Sequence, residues 1–187
     1  VIIDNREPKW VQELKFGGVP TAVAMLDYGD LHVLCDDGSM LIVERKTPDD
    51  LLNSLKDDRL FVQSGKCAQA RLDAQLATET MDTVWPYLVI TGQFYPGPNG
   101  KTITPRGVTG WNWNSVMGAL LSIQEMGIAV VFSPSDEEYE KTILMLANRS
   151  HVAETQILPP RPPSILSPGH LILASLPGIG VERLKIA

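Results

Sequence analysis

Two apolar runs, residues 31–35 and 40–43, stand either side of Asp36-Asp37-Gly38-Ser39, and no other stretch constrains the fold so tightly. An Asp-Gly pair readily takes the backbone angles of a tight hairpin turn, so the runs are expected to pair as antiparallel strands. The second run leads straight into Glu44-Arg45-Lys46. Strand residues two apart share a face, so Glu44 and Lys46 project together while Arg45 points to the other side.

The elements around this hairpin alternate between strand and helix. Residues 1–3 read as a buried strand that delivers Asp4, Arg6 and Glu7 to its carboxyl end. Trp10, Val11 and Leu14 fit a short helix stopped by Gly17-Gly18, and a strand is expected near residues 21–26. Thr47-Pro48-Asp49-Asp50 combines a capping hydroxyl, a first-turn proline and two acids facing the helix dipole, so a helix begins there. A longer helix is predicted from Arg59 to about Thr80, then a buried strand at 87–91. Residues 92–110, rich in Gly and Pro, read as a loop long enough to be mobile or functional. A helix at 113–126, a strand at 128–132 and a final helix at 136–149 capped by Ser135 complete a mixed α/β domain.

After about residue 153 the pattern changes. Leu158-Pro159-Pro160-Arg161-Pro162-Pro163 cannot form a helix or a central strand, and residues 154–169 read as a linker. Residues 170–187 begin an apolar helix that runs into Leu176-Pro177-Gly178-Ile179-Gly180. The expected organisation is one domain over residues 1–153, the linker, and the start of a second module.

Length and charge narrow the function classes. A chain of 187 residues can bury one good-sized core and carry a small appendage. No apolar run approaches the roughly 20 residues of a membrane helix, so a membrane-embedded protein is not expected. The opening Val1-Ile2-Ile3-Asp4 lacks signal-peptide features, and the chain reads as a piece of a longer intracellular protein. Cys35 and Cys67 are too few for a disulfide framework, are not spaced like zinc ligands, and read as reduced, partly buried thiols. His32, His151 and His170 are isolated from one another in sequence, show no ligand spacing, and read as structural or surface residues. A net charge of -6 argues against a broad basic nucleic-acid surface, although an active site that holds metal ions must itself be acidic.

The hairpin also gathers chemistry. Asp30 sits just before its first strand, so its carboxylate can approach Glu44 beside the Lys46 ammonium. Hard divalent cations take carboxylates, carbonyls and water, which makes Asp30, Glu44 and the Arg45 carbonyl a reasonable open site for Mg²⁺ or Mn²⁺. Lys46 would stand next to the attacking water, and Glu44 and Lys46 are expected to face a solvated cleft. Such a site hydrolyses a phosphodiester without a covalent intermediate. Trp111 and Trp113 are expected to pack on the core in preference to stacking on unpaired bases.

Asp30, the strand hairpin and Glu-x-Lys reproduce the pattern of the PD-(D/E)xK nuclease superfamily. A longer series resembles the nuclease domain of the XPF family: Ile3-Asp4-Asn5-Arg6-Glu7, Tyr28-Gly29-Asp30, Val43-Glu44-Arg45-Lys46, Asp50-Leu51, Ser54-Leu55, Asp58-Arg59-Leu60 and Gln63. The segment after the linker is similar to the start of the helix-hairpin-helix region that follows this nuclease.

The resemblance implies a restriction-endonuclease-like α/β fold with a mixed central sheet, and a metal-dependent endonuclease that nicks branched DNA such as flaps, forks or splayed arms. By matching positions, Asp30, Glu44, Lys46 and Arg45 would be catalytic. Asp4, Asp30 and Glu44 would hold metal, with Glu7 and Asp50 as supporting acids. Arg6, Arg59, Gln63, Gly178 and Gly180 would contact DNA, and dimers with an identical or related chain are implied. The setting would be the cytoplasm of a prokaryote or virus-infected cell, or a eukaryotic nucleus. Two departures stand out: the hairpin between Asp30 and Glu44 is longer than usual, and Thr91 replaces a common acidic residue. The rival readings are a catalytically inactive subunit that binds branched DNA or acts as a scaffold, and a junction resolvase or restriction-like enzyme of the wider superfamily.

Overall fold

A computed structural model describes residues 1–77, 84–149 and 151, all within one unit spanning Val1–Ala153. Chain order is β1 (Ile2–Asp4), α1 (Lys9–Gln12), β2 (Ala22–Ala24), β3 (Leu31–Leu34), β4 (Met40–Lys46), α2 (Pro48–Lys56) and α3 (Arg59–Ala77). There follow β5 (Val84–Thr91), β6 (Tyr95–Pro96), β7 (Lys101–Thr104), β8 (Gly107–Asn112), α4 (Trp113–Glu125), β9 (Ala129–Ser133) and α5 (Tyr139–Ala147). The linker and the module with Gly178 and Gly180 lie outside the described residues.

The hairpin forms as its turn requires, with β3 and β4 antiparallel and Leu31 opposite Val43. It sits inside a six-stranded mixed sheet of order β2-β1-β3-β4-β5-β9. The pairs β1–β2, β4–β5 and β5–β9 are parallel. Period-two alternation divides the core between the two faces of this sheet. Val43 and Val89 join Ile3, Phe16, Tyr139 and Ile143 on one face, while Leu88 and Ile90 join Leu51, Leu60, Leu120 and Ile123 on the other. Helices thus cover both faces, as burial of the parallel strands requires.

The start of α2 follows the predicted chemistry. The Thr47 hydroxyl accepts from the Asp50 N–H at 3.2 Å, Pro48 opens the helix and Asp49 and Asp50 occupy its first turn. β5 begins at Val84, earlier than predicted, and runs through Pro86, opposite Ile42 of β4. The missing N–H is tolerated because β9 pairs only from Tyr87 onward, so no described strand pairs with that edge of β5 at the proline.

Two expectations are corrected. Residues 92–110 do not form a long loop: β6, β7 and β8 build a second, antiparallel sheet of three strands. Gly97, Pro98, Gly100 and Pro105 sit at its turns, with a 3-10 turn at Pro98–Gly100, and mask the alternation of Lys101-Thr102-Ile103-Thr104, where Thr102 and Thr104 are buried. This sheet is tied to α2, because Asp49 accepts from the Thr104 hydroxyl at 2.8 Å and pairs with Arg106 at 3.2 Å. The final helix begins at Tyr139 with Glu138 at its N-cap and no side-chain cap, so Ser135 does not cap it. Asp136 lies in the turn before the helix, its side chain 3.7 Å from Arg45 and its carbonyl accepting from the Tyr139 N–H at 3.2 Å. Trp111 packs against the second core cluster and the Trp113 ring lies 5.6 Å from that of Phe94, in line with the packing reading of both tryptophans.

Candidate active site

The site grows from a difference in strand length. β4 extends past the end of its pairing with β3 at Val43, so Glu44-Arg45-Lys46 is paired by β5 on one side only. Asp30 docks against the open edge. Its N–H donates to the Val43 carbonyl (2.7 Å), its carbonyl accepts from the Asp4 N–H (2.9 Å), and its Oδ2 accepts from the Arg45 N–H (2.8 Å). One carboxylate oxygen thus replaces the acceptor that a longer β3 would have offered, and nothing among the described residues donates to the other.

Gly29 makes this approach possible. It has φ +67°, and a Cβ there would lie 2.8 Å from the Ile42 Cγ2 and 3.2 Å from the Val43 oxygen. Gly29→Ala is therefore expected to cost about 1–3 kcal/mol, through left-handed strain and a clash with β4. Chemical denaturation would measure it, and an unchanged midpoint would contradict the close approach.

Glu44 and Lys46 share a face, as predicted, and both are largely buried, with side chains 5% and 10% exposed; Glu44 lines a cleft, and Lys46 lies behind it without being one of its lining residues. Lys46 Nζ donates to Glu44 Oε1 at 2.5 Å. Burial, and next the negative charge of Asp30, push the Glu44 carboxyl up to about 7. Burial likewise raises Asp30, partly offset by the Arg45 N–H and the Lys46 charge.

The unfolded chain releases the Glu44 proton near 4.5 and the folded chain near 7, so folding takes up a proton between those values. The contribution is present below about pH 4.5 and lost as pH rises through 7, roughly 3 kcal/mol for a group this buried. Metal-free protein is expected to melt lower at pH 8 than at pH 5.5, and Glu44→Gln to flatten that slope. A wild-type Tm that is flat or rising over this range would count against the buried carboxyl pair.

Arg45 points to the opposite face. Its Nε donates to Glu7 Oε2 at 2.6 Å and its guanidinium carbon lies 5.3 Å from the Trp10 ring centre. The side chains of Arg45 and Glu7 are 9% and 11% exposed, so the pair braces β4 against the segment after β1 from within the domain. Asp4 is also engaged. Its Oδ1 accepts from the N–H and Nε of Arg6, both at 2.7 Å, and its Oδ2 from Arg6 Nη2 (2.8 Å) and the Leu26 N–H (2.9 Å). The Arg6 side chain is the main cause holding this carboxyl at about 2.

A cleft of about 260 Å³ opens between the hairpin and α3, lined by Arg6, Asp27, Tyr28, Gly29, Asp30, Glu44, Gln63 and Lys66. Of the residues singled out by sequence, it gathers Arg6, Asp30, Glu44 and Gln63. Arg59 lies exposed against Asp57 at 3.4 Å, and Asp50 is engaged by Thr47, so neither lines the cleft. Lys66 and Asp27 were not anticipated. Lys66 lies three residues after Gln63 on α3, so the helical period alone would have paired them on one face. Asp4, Asp30 and Glu44 do not bring one oxygen each within 4.8 Å of one another; among the described residues only Cys35, Asp37 and His151 form a set that close.

A mixed sheet covered by helices on both faces, with Asp30 and Glu44 converging at the end of its central hairpin, is the restriction-endonuclease-like fold. The chain belongs to the ERCC4 domain family, whose model matches residues 3–146, and within it to the XPF-type nucleases. The structure of XPF from Aeropyrum pernix is similar at 28% identity and TM-score 0.54, covering 96% of this chain and 76% of that one. The same protein in complex with DNA gives 25% identity, TM-score 0.56, and coverage of 96% and 74%. A curated relative described as the putative ATP-dependent RNA helicase MJ1505, from Methanocaldococcus jannaschii, is 27% identical over 192 residues; the match takes in 98% of this chain and 21% of that protein. The chain therefore spans about a fifth of this relative. No helix among the described residues is long and apolar enough to cross a membrane.

Proposed function

We propose that this chain is a divalent-metal-dependent endonuclease domain that hydrolyses a phosphodiester bond in branched DNA. The observation that carries the reading is the Asp30–Glu44 pair: two carboxyls raised by burial, Glu44 further by the Asp30 charge, at the wall of a cleft that also presents Arg6 and Lys66. Two crowded carboxylates are a donor set suited to a hard cation, and each keeps one oxygen to which no described residue donates. The Arg45 carbonyl would join them, since the N–H and C=O of one strand residue leave the same edge and the Arg45 N–H already faces Asp30.

Mg²⁺ or Mn²⁺ held there would supply Lewis acidity at a phosphoryl oxygen and a lowered pKa for the attacking water. Lys46 would orient that water or stabilise the charge developing on the phosphoryl group. Glu44 fixes the ammonium through the bond it accepts. Arg6, Gln63 and Lys66 would hold the DNA backbone along the cleft. Arg45 and Glu7 act as a brace, and Asp4 positions Arg6. Asp4 would serve as a metal ligand only if Arg6 moved to a phosphate. Branched DNA as the substrate, a dimer with an identical or related chain, and the division into residues 1–153, 154–169 and 170–187 with Gly178 and Gly180 gripping phosphate are proposed from the XPF kinship and the DNA-bound relative.

The test is nicking of a labelled flap DNA in Mg²⁺ or Mn²⁺, with a chelator and Asp30→Ala as controls. Cleavage lost in both controls is the expected result. Binding of the flap without cleavage under any of these conditions would instead assign the chain to the inactive DNA-binding class.

A further inference from the structure

A second cluster of ligating groups lies at the other end of β3. Cys35 follows the strand that Asp30 precedes, and five residues of extended chain span roughly 16 Å, so this cluster is remote from the acidic cleft. Asp37 belongs to the hairpin turn, and its Oδ1 is anchored by the Ser39 N–H (3.0 Å) and hydroxyl (2.5 Å). His151, beyond α5, donates its backbone N–H to Asp37 Oδ2 at 2.7 Å. Its ring is fully buried, and among the described residues Nδ1 has no hydrogen-bond partner although it lies 3.8 Å from that same oxygen. The Cys35 thiol is free and buried. One ligand atom from each of the three lies within 4.8 Å of the others.

We propose that Cys35, Asp37 and His151 bind one thiophilic divalent cation of the Zn²⁺ class, at a site separate from the acidic cleft. Sulfur and imidazole donors select such a cation over Mg²⁺ or Ca²⁺. A nitrogen and an oxygen about 2.0–2.2 Å from a tetrahedral ion sit roughly 3.3–3.5 Å apart, so Asp37 and His151, at 3.8 Å, need to close by a few tenths of an ångström, and Cys35 by about 1.3 Å at most. The far side of the imidazole is prepared as well. Tyr87 Oη lies 3.2 Å from Nε2; in the tautomer that carries its proton on Nε2, Tyr87 Oη accepts that proton and the Nδ1 lone pair faces the cluster, the outer bond that metal-ligating histidines make. A buried nitrogen with no partner costs free energy unless something occupies its lone pair, and the cation is that occupant. Three protein ligands leave a fourth position for water. The bound ion would fasten the segment after α5 to the turn of the hairpin that carries the acidic site.

The experiment is a Co²⁺ titration of the reduced 187-residue chain, read by the near-ultraviolet thiolate-to-cobalt charge-transfer band. The cleft-lining residues include no cysteine, so a failure of the proposed nuclease chemistry would leave this readout untouched. The expected band saturates at one equivalent, is displaced by Zn²⁺, and persists in Cys67→Ala and Asp30→Ala. It disappears in Cys35→Ser, and His151→Ala weakens Co²⁺ binding at least tenfold. Free Zn²⁺ at a hundred times its Kd should raise Tm by roughly 5 to 10 °C. Absence of the band in the wild-type chain, or its survival in a Cys35→Ser protein with a native circular-dichroism spectrum, would overturn the proposal and leave the Asp37–His151 contact as a hydrogen bond that only ties down the chain.

Discussion

Replacing Lys46 by methionine is expected to lower flap nicking by about 10²- to 10³-fold, the loss typical when one preorganised charge is removed from a transition state, while DNA binding changes only a few-fold. Methionine is the better test because Lys46 is buried: its aliphatic stem packs inside the domain, and alanine would add a cavity to the loss of charge. Glu44→Gln should lose activity to a similar or greater degree, since it removes a proposed metal ligand together with the acceptor that holds the Lys46 ammonium. The two variants separate stability from catalysis. Glu44→Gln removes a carboxyl that the folded chain resists ionising at neutral pH, so it should be no less stable than wild type at pH 8 and still inactive. Nicking within tenfold of wild type by either variant would remove these residues from the mechanism.

Arg45→Ala is expected to cost about 3–5 kcal/mol of folding stability, among the largest effects of any single change in this domain. The variant would strand Glu7, whose carboxyl burial already raises and which the Arg45 guanidinium chiefly offsets. It would also remove the contact with Asp136 and the packing over Trp10. Urea denaturation would measure the loss. Pairing Arg45→Met with Glu7→Gln should recover a large share, because neither uncompensated charge then remains inside. A single-mutant cost below about 1 kcal/mol would mean that Glu7 accepts a proton freely and that the brace is dispensable.

The sequence carried the hairpin, the start of α2 and the shared face of Glu44 and Lys46, because each rests on local rules: turn chemistry at Asp37-Gly38, capping by Thr47, and the two-residue period of a strand. It carried the ERCC4 kinship for the same reason, since motif residues near one another in the chain can be read in order. Tertiary structure decided the rest. That β4 outruns β3 and leaves an edge for the Asp30 carboxylate follows from the pairing of three strands, which no one segment encodes. Burial of Lys46 beside Glu44, and the diversion of Arg45 and Asp4 into ion pairs away from the carboxyl pair, depend on what the helices and β1 bring against the hairpin. The small sheet at β6, β7 and β8 was hidden because glycine and proline at its turns resemble a loop until a partner surface, here the start of α2, gives the strands something to pack against. His151 meets Cys35 and Asp37 for a similar reason: more than a hundred residues of chain separate them, and only the folded sheet and helices close that distance.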